Sequence, residues 1–281
     1  MKPSFERKRT AVALLCAGAA LVLQACGGGG GSDGGSAPPA SGSASPSGPD
    51  TSAGNSGSVS AQYVLSPDRG QHHLVGVGSQ RLGRISEIAQ NGASGAILKI
   101  NESELSGQAV VQNISGSEAF ALGRWVAGTV TTSSGAETLT GKDNRSYHYV
   151  VFNAPSAYPQ SGSFSCDAGT FSTPTRVSGS SSAPATGSTS GQASLSFAAD
   201  GATVAGSLTM TAGSGKGSVP LKTSGLDPRQ NSITGSYFSG GAGAAVQVAD
   251  GGNGTFQVVG SYRATTPDGA GYIGVFRFAC K

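Results

Sequence analysis

The 281 residues contain three imidazoles: the adjacent pair His72-His73, and His148. Neighbours on an extended strand point to opposite faces, so His72 and His73 make a poor chelate. His148 stands between Tyr147 and Tyr149, and alternation places it on the face opposite both; it reads as a structural, hydrogen-bonded group. Glu102 and Glu104 lie two residues apart in a segment that reads as a turn, which suits solvated carboxylates better than an acid/base pair. Serine is plentiful, but no Gly-x-Ser-x-Gly sits in the strand–turn–helix context that would expose a nucleophile. The glycine-rich tracts lack the Lys-Ser/Thr ending of a phosphate loop. No catalytic residue, cofactor site or metal site is therefore expected, and the chain does not read as an enzyme.

The four cysteines carry the remaining chemistry. Lys2, Arg7, Lys8 and Arg9 form a positive start, and Thr10 to Leu23 is an uncharged run of Ala, Leu and Val. That run is too short to span a bilayer core of roughly 30 Å as a helix, so residues 1–25 read as a secretory signal peptide. It ends Leu23-Gln24-Ala25-Cys26, which resembles the bacterial lipobox. The resemblance implies cleavage before Cys26, a diacylglycerol on its thiol and an acyl chain on its new amine. Two or three chains would hold the protein durably, because each buried methylene contributes about 0.8 kcal/mol. Gly27 follows the cysteine, and the absence of Asp there implies passage to the outer membrane. Cys16 leaves with the signal, so Cys166 and Cys280 remain in the exported chain. In an oxidising compartment two such cysteines most simply pair with each other.

Removing the signal changes the charge. Four of the 18 Lys and Arg residues and one of the 15 Asp and Glu residues precede Cys26, leaving 14 of each. A basic nucleic-acid footprint is lost with the signal, so nucleic acid is not an expected partner. Residues 27 to about 60 are nearly all Gly, Ser, Ala and Pro. Such a segment buries too little apolar surface to offset its ordering entropy, so residues 26–60 read as a lipidated cysteine and a disordered linker, with a span of roughly 30–35 Å.

From about residue 61 the signals are those of short strands. Candidates are Ala96 to Ile100, Gln108 to Ile114, Leu122 to Thr132, Ser146 to Asn153, Gly162 to Ala168, Gln192 to Ala198, Thr203 to Thr211, Gly217 to Thr223, Ser232 to Phe238, Ala244 to Val248, Thr255 to Arg263 and Tyr272 to Ala279. Leu195 and Phe197 alternate with Ser194 and Ser196, and Val204, Leu208 and Met210 alternate with Thr203, Ser207 and Thr209. Asp200-Gly201 between these runs is a hairpin signal, and Asp268-Gly269 precedes the last strand. Leu82 to Gln90, with apolar residues at three-residue spacing and Asn91-Gly92 beyond, predicts one short helix. Strand following strand through hairpins predicts an all-β fold: a soluble, antiparallel, up-and-down β-barrel of about eight strands. Its outward face is rich in Ser and Thr and lacks the apolar band of a transmembrane barrel. Alternation puts Cys166 with Phe164 and Cys280 with Phe278, so a bridge would tie an early barrel strand to the last. Trp125, Phe164, Phe197, Tyr237, Phe256, Tyr262, Phe276 and Phe278 are expected to pack the core or the lumen.

Leu122-Gly123-Arg124-Trp125-x-x-Gly128, then Tyr147-His148-Tyr149-Val150-Val151 with Pro155 and Pro159, then Ser161-Gly162-Ser163-Phe164-Ser165, resemble the opening of the barrel in surface lipoproteins of the transferrin-binding protein B type. The resemblance covers residues 118–281 and implies an eight-stranded barrel displayed at the cell surface. It leaves 61–117 as a separate β-rich segment. The large capturing lobe of true transferrin receptors has no counterpart here, so transferrin binding does not carry over. In a bacterial lipoprotein the glycosylation patterns at Asn101-Glu102-Ser103 and Asn113-Ile114-Ser115 are coincidence.

The expected function is that of a non-catalytic, outer-membrane-anchored lipoprotein. Its partners would be the membrane, through lipid on Cys26, and an extracellular protein or other macromolecule bound at the cell surface. The alternatives are a structural envelope lipoprotein, or a carrier of a small apolar ligand on the periplasmic side.

Overall fold

The computed structural model describes residues 54–141 and 145–281. The signal, Cys26 and most of the linker lie outside the described residues. Every regular element among the described residues is a strand.

The first sheet is built from β1 (Gly57–Val59), β2 (Gly70–Gly76), β3 (Ser79–Arg84), β4 (Ile88–Gln90), β5 (Ile97–Ile100), β6 (Ser103–Ser117), β7 (Phe120–Thr132), β8 (Gly135–Thr140) and β9 (Tyr147–Asn153). Its order is β3-β2-β9-β7-β6-β5-β4, with β1 parallel to β6 and β8 paired to the far half of β7. One face carries Leu74, Ile97, Ile100, Val111, Trp125, Tyr149 and Val151. Trp125 Nε1 donates to the Ile97 carbonyl at 2.7 Å, and Ile97 N donates to Tyr149 Oη at 3.1 Å, so the two large aromatics are satisfied as well as buried. Gly123 lies across from Tyr149 in the β7–β9 ladder, and any Cβ there would sit 2.3 Å from the phenol oxygen. The glycine is what lets the ring lie over the neighbouring strand.

The other strands are β10 (Gly162–Ser165), β11 (Thr170–Phe171), β12 (Thr175–Ser178), β13 (Ser188–Ala198), β14 (Gly201–Ala212), β15 (Gly215–Pro220), β16 (Thr223–Leu226), β17 (Ser232–Gly235), β18 (Gly243–Gly252), β19 (Thr255–Thr265) and β20 (Gly271–Cys280). They form two antiparallel sheets, β10-β13-β14-β15 with β16 on β14, and β11-β20-β19-β18-β17 with β12 on β20. Both sheets face one core, containing Leu195, Phe197, Leu208, Met210, Val246, Val258, Tyr262, Phe276 and Phe278. At one seam Ser165 and Lys281 exchange backbone hydrogen bonds, and Cys166 bridges Cys280. At the other, Thr234 Oγ1 donates to the Pro220 carbonyl and Thr223 Oγ1 to Ser232 Oγ. The result is the expected antiparallel barrel, with β10 to β12 acting as one interrupted strand between β13 and β20. Its interior is filled by side chains, as a barrel of this size allows.

Alternation reads correctly along β13 and β14: Leu195, Phe197, Val204, Leu208 and Met210 are buried, while Ser194 and Thr203 are exposed. The expected hairpin at Asp200-Gly201 is the β13–β14 turn. The expected helix is not formed. Leu82 belongs to β3 and Ile88 to β4, and the chain bends between them because Asn101 Oδ1 accepts from Ser86 N and Glu87 N. That bend resets the strand phase and leaves a three-residue spacing that imitates a helix.

The sheets also divide the chain differently from the sequence expectation. The boundary placed between 117 and 118 falls inside the β6–β7 hairpin. The change of sheet comes after β9, so Leu122–Gly128 and Tyr147–Val151 sit in the first sheet, and only Ser161–Ser165 of the resemblance motifs enters the barrel. The outward face of β18 to β20 is not polar. Ala249, Val259, Ile273 and Val275 pack against Val75, Phe120, Leu122, Val150 and Phe152 of the first sheet. This third core explains why β2 and β9 are buried along their whole length.

Candidate functional site

The imidazoles divide as strand alternation demands. His73 shares a face of β2 with Val75 and enters the layer between the first sheet and the barrel. Its Nδ1 lies 3.1 Å from Ser261 Oγ and its Nε2 lies 2.8 Å from Asn231 Oδ1. Ser261 Oγ lies in turn 2.6 Å from Tyr237 Oη. Complete burial pushes the His73 pKa down to about 3, against a smaller opposing pull from Asn231. His148 enters the same layer from β9, with Nδ1 2.7 Å from Ser172 Oγ and Nε2 2.7 Å from Thr175 Oγ1. Burial, and then the Arg124 guanidinium, hold it well below the ordinary imidazole value. Ser172 Oγ also accepts from Val275 N, so the network runs from β9 through the 172–175 segment to β20.

These clusters contain serine and histidine within hydrogen-bond reach, yet they have no access for a substrate. His73, His148, Ser172 and Ser261 are each 0% exposed. The carboxylate that would orient the ring in a nucleophilic relay is replaced by Asn231 at His73 and by a hydroxyl at His148. The arrangement fixes neutral rings in one orientation and joins two sheets. It satisfies buried polar atoms, as cores require. Sequence reading took His148 as a structural group and the His72-His73 pair as a poor chelate, and missed the partners of His73 and His148, which lie 24 to 188 residues away.

Cys166 and Cys280 are joined as a disulfide across 114 residues of chain. Cys166 packs against the barrel core with Phe164, and Cys280 lies inside it with Phe276 and Phe278, the faces expected from alternation. Cys26 lies outside the described residues. Asn101 and Asn113, which head the two glycosylation patterns, are both engaged: Asn101 caps the Ser86 bend and Asn113 Oδ1 accepts from Thr173 N. Both take positive φ, 53° and 56°, a turn role that asparagine tolerates.

His72 faces the other way, beside Leu74, and lines an open groove of about 790 Å³. One wall is β3 from Gln80 to Arg84; the other is the segment from Lys99 to Glu104, which ends β5 and begins β6. Asn101 Nδ2 donates to the Arg84 carbonyl at 2.9 Å and closes one end. The charged lining of the groove is balanced, Arg81, Arg84 and Lys99 against Glu87, Glu102 and Glu104. Lys99 pairs with Glu87 at 2.6 Å and Arg84 with Asp68 at 3.7 Å, while Arg81 donates to Ser133 and Ser134. His72 is 6% exposed, and burial pushes its pKa down to about 4, opposed by the carbonyls of Gly83 and Arg84. Glu102 and Glu104 are exposed on the rim, solvated as the sequence suggested. Among the described residues no group of three or more His, Cys, Asp or Glu is arranged to hold a metal ion.

No family model, curated protein or solved structure matches this chain.

Proposed function

We propose that the chain is a lipid-anchored, non-catalytic lipoprotein that displays its β-body for binding at the cell surface. One observation carries the reading. The reactive groups of the body are consumed inside it, in the His73 and His148 networks and the Cys166–Cys280 bridge, while a groove lined by charged and polar side chains stands open to solvent. Such a body offers contact surface. The anchor rests on Leu23-Gln24-Ala25-Cys26 ahead of a Gly/Ser/Pro spacer. That order gives a tethered module room to meet a partner away from the headgroups.

The resemblance to barrels of the transferrin-binding protein B type supports display on the outer face, and through Ser161–Ser165 it touches the barrel itself. A carrier of an apolar ligand would need an open lumen, whereas Tyr262, Phe276, Phe278 and Met210 occupy this one. The test of the anchor is incorporation of radiolabelled palmitate. The wild-type chain takes up label and partitions into detergent; Cys26→Ala does neither. Equal behaviour of the two would overturn the anchored reading.

A further inference from the structure

We propose that the groove beside β3 takes an extended polypeptide segment carrying basic side chains, added as a strand to the free edge of β3. This deepens the reading of the chain as a binding module and rests on it. Strand β3 pairs with β2 alone among the described residues, so its other edge is open along residues 79–83, the Arg84 carbonyl being taken by Asn101 Nδ2. Free edges of this kind are usually blocked by neighbours or used for recognition. Here the edge lies in a recess, and five consecutive residues from Gln80 to Arg84 line it. At Gly83, with φ 151°, the strand carries no side chain, and the position a Cβ would take meets open space. His72 supplies an independent sign of an occupant. It lines the groove, is more than nine-tenths buried, and its Nδ1 has no hydrogen-bond partner among the described residues.

The charges select the occupant. On the β3 side Arg84 is neutralised by Asp68 and Arg81 is held by Ser133 and Ser134. On the opposite wall Lys99 pairs with Glu87 and also feels Glu104, its cross-strand neighbour in the β5–β6 ladder, so that the three carboxylates Glu87, Glu102 and Glu104 face one cation there. An incoming strand alternates its side chains, so residues two apart face the same wall. Lysine or arginine at that spacing meets Glu102 and Glu104, while its backbone pairs with β3.

The probe is the capped hexapeptide acetyl-Thr-Lys-Val-Lys-Val-Thr-amide, dye-labelled and titrated into the full chain, beside the same peptide N-methylated on one edge. The peptide is expected to bind and to slow amide exchange in Ser79–Arg84. N-methylation weakens binding about fivefold for each hydrogen bond removed. The double variant Glu102→Gln/Glu104→Gln, at two exposed positions, weakens it several-fold at low salt and little at high salt. Unchanged β3 exchange, equal binding of the N-methylated peptide, or indifference to both glutamates overturns the proposal. Failure of the peptide while the body remains accessible on intact cells removes the groove assignment and leaves the display reading standing.

Discussion

His73 on β2 reaches across the layer between the two halves of the structure to Ser261 on β19, 3.1 Å away and 188 residues later in the chain. Nothing apolar is needed at that point, although Val75, Val150, Val259 and Val275 surround the same layer. The contact sets which part of the first sheet meets which part of the barrel, because a hydrogen bond is directional where a valine contact is not. His148 does the same through Ser172 and Thr175.

The burial of these rings gives a pH dependence. In the unfolded chain an imidazole binds a proton near pH 6.5, whereas folded His73 does so near 3 and His72 near 4. Between those values the unfolded state holds more protons, so stability rises with pH there and is complete above about 6.5. Urea midpoints should fall steadily as pH drops from 7 to 4. His73→Gln should flatten that slope and cost about 1–3 kcal/mol at pH 7 by leaving buried partners unpaired. An unchanged slope in His73→Gln would refute the assignment.

The disulfide closes the barrel where β10 meets β20. Cys166→Ser should lower the melting temperature of oxidised protein, with the loop-entropy model setting an upper figure of roughly 4–5 kcal/mol for a closed loop of this length. Reduced wild type and reduced variant should melt together. Equal melting in the oxidised state would mean that the bridge adds nothing to stability.

Gly123 and Tyr149 form a cross-strand pair that tolerates no methyl group. In Gly123→Ala the new Cβ would meet the phenol oxygen at 2.3 Å. Displacing the ring would also break the hydrogen bond from Ile97 N. The expected loss is about 1–3 kcal/mol, the usual range for overpacking a core. Denaturant unfolding followed by Trp125 fluorescence measures it, because the indole lies in the same cluster, 6.1 Å from the Tyr149 ring. Gly274 beneath Tyr262 should behave alike, whereas Gly252→Ala meets open space and should show only the strain of its positive φ.

The barrel was legible because β13 and β14 have one face in a core and one in water, so Leu195, Phe197, Val204 and Leu208 alternate with small polar residues. The first sheet was harder to read. Gly70–Gly76 is buried on both faces, and two of its seven residues are histidines. Its strand character depends on Ser261 and Asn231, which no local pattern reveals. Val150, Phe152, Ile273 and Val275 look like ordinary core residues. Only the fold shows that they pack one half on the other, which is why the boundary expected at 117 fell within a hairpin. The disulfide was foreseen by elimination and by alternation together. The groove was not: Glu102 and Glu104 looked like turn carboxylates, and the free edge of β3 exists only once the sheet order is known.

The measurement closest to the central claim is protease shaving of intact cells that carry the full-length chain, with a periplasmic protein as control and Cys26→Ala alongside. Loss of the body while the control survives, and absence of Cys26→Ala from the cell surface, is the result expected of a displayed, lipid-tethered binding module. Full protection of the body on intact cells, with digestion only after the outer membrane is opened, would contradict display and move the protein to a periplasmic role.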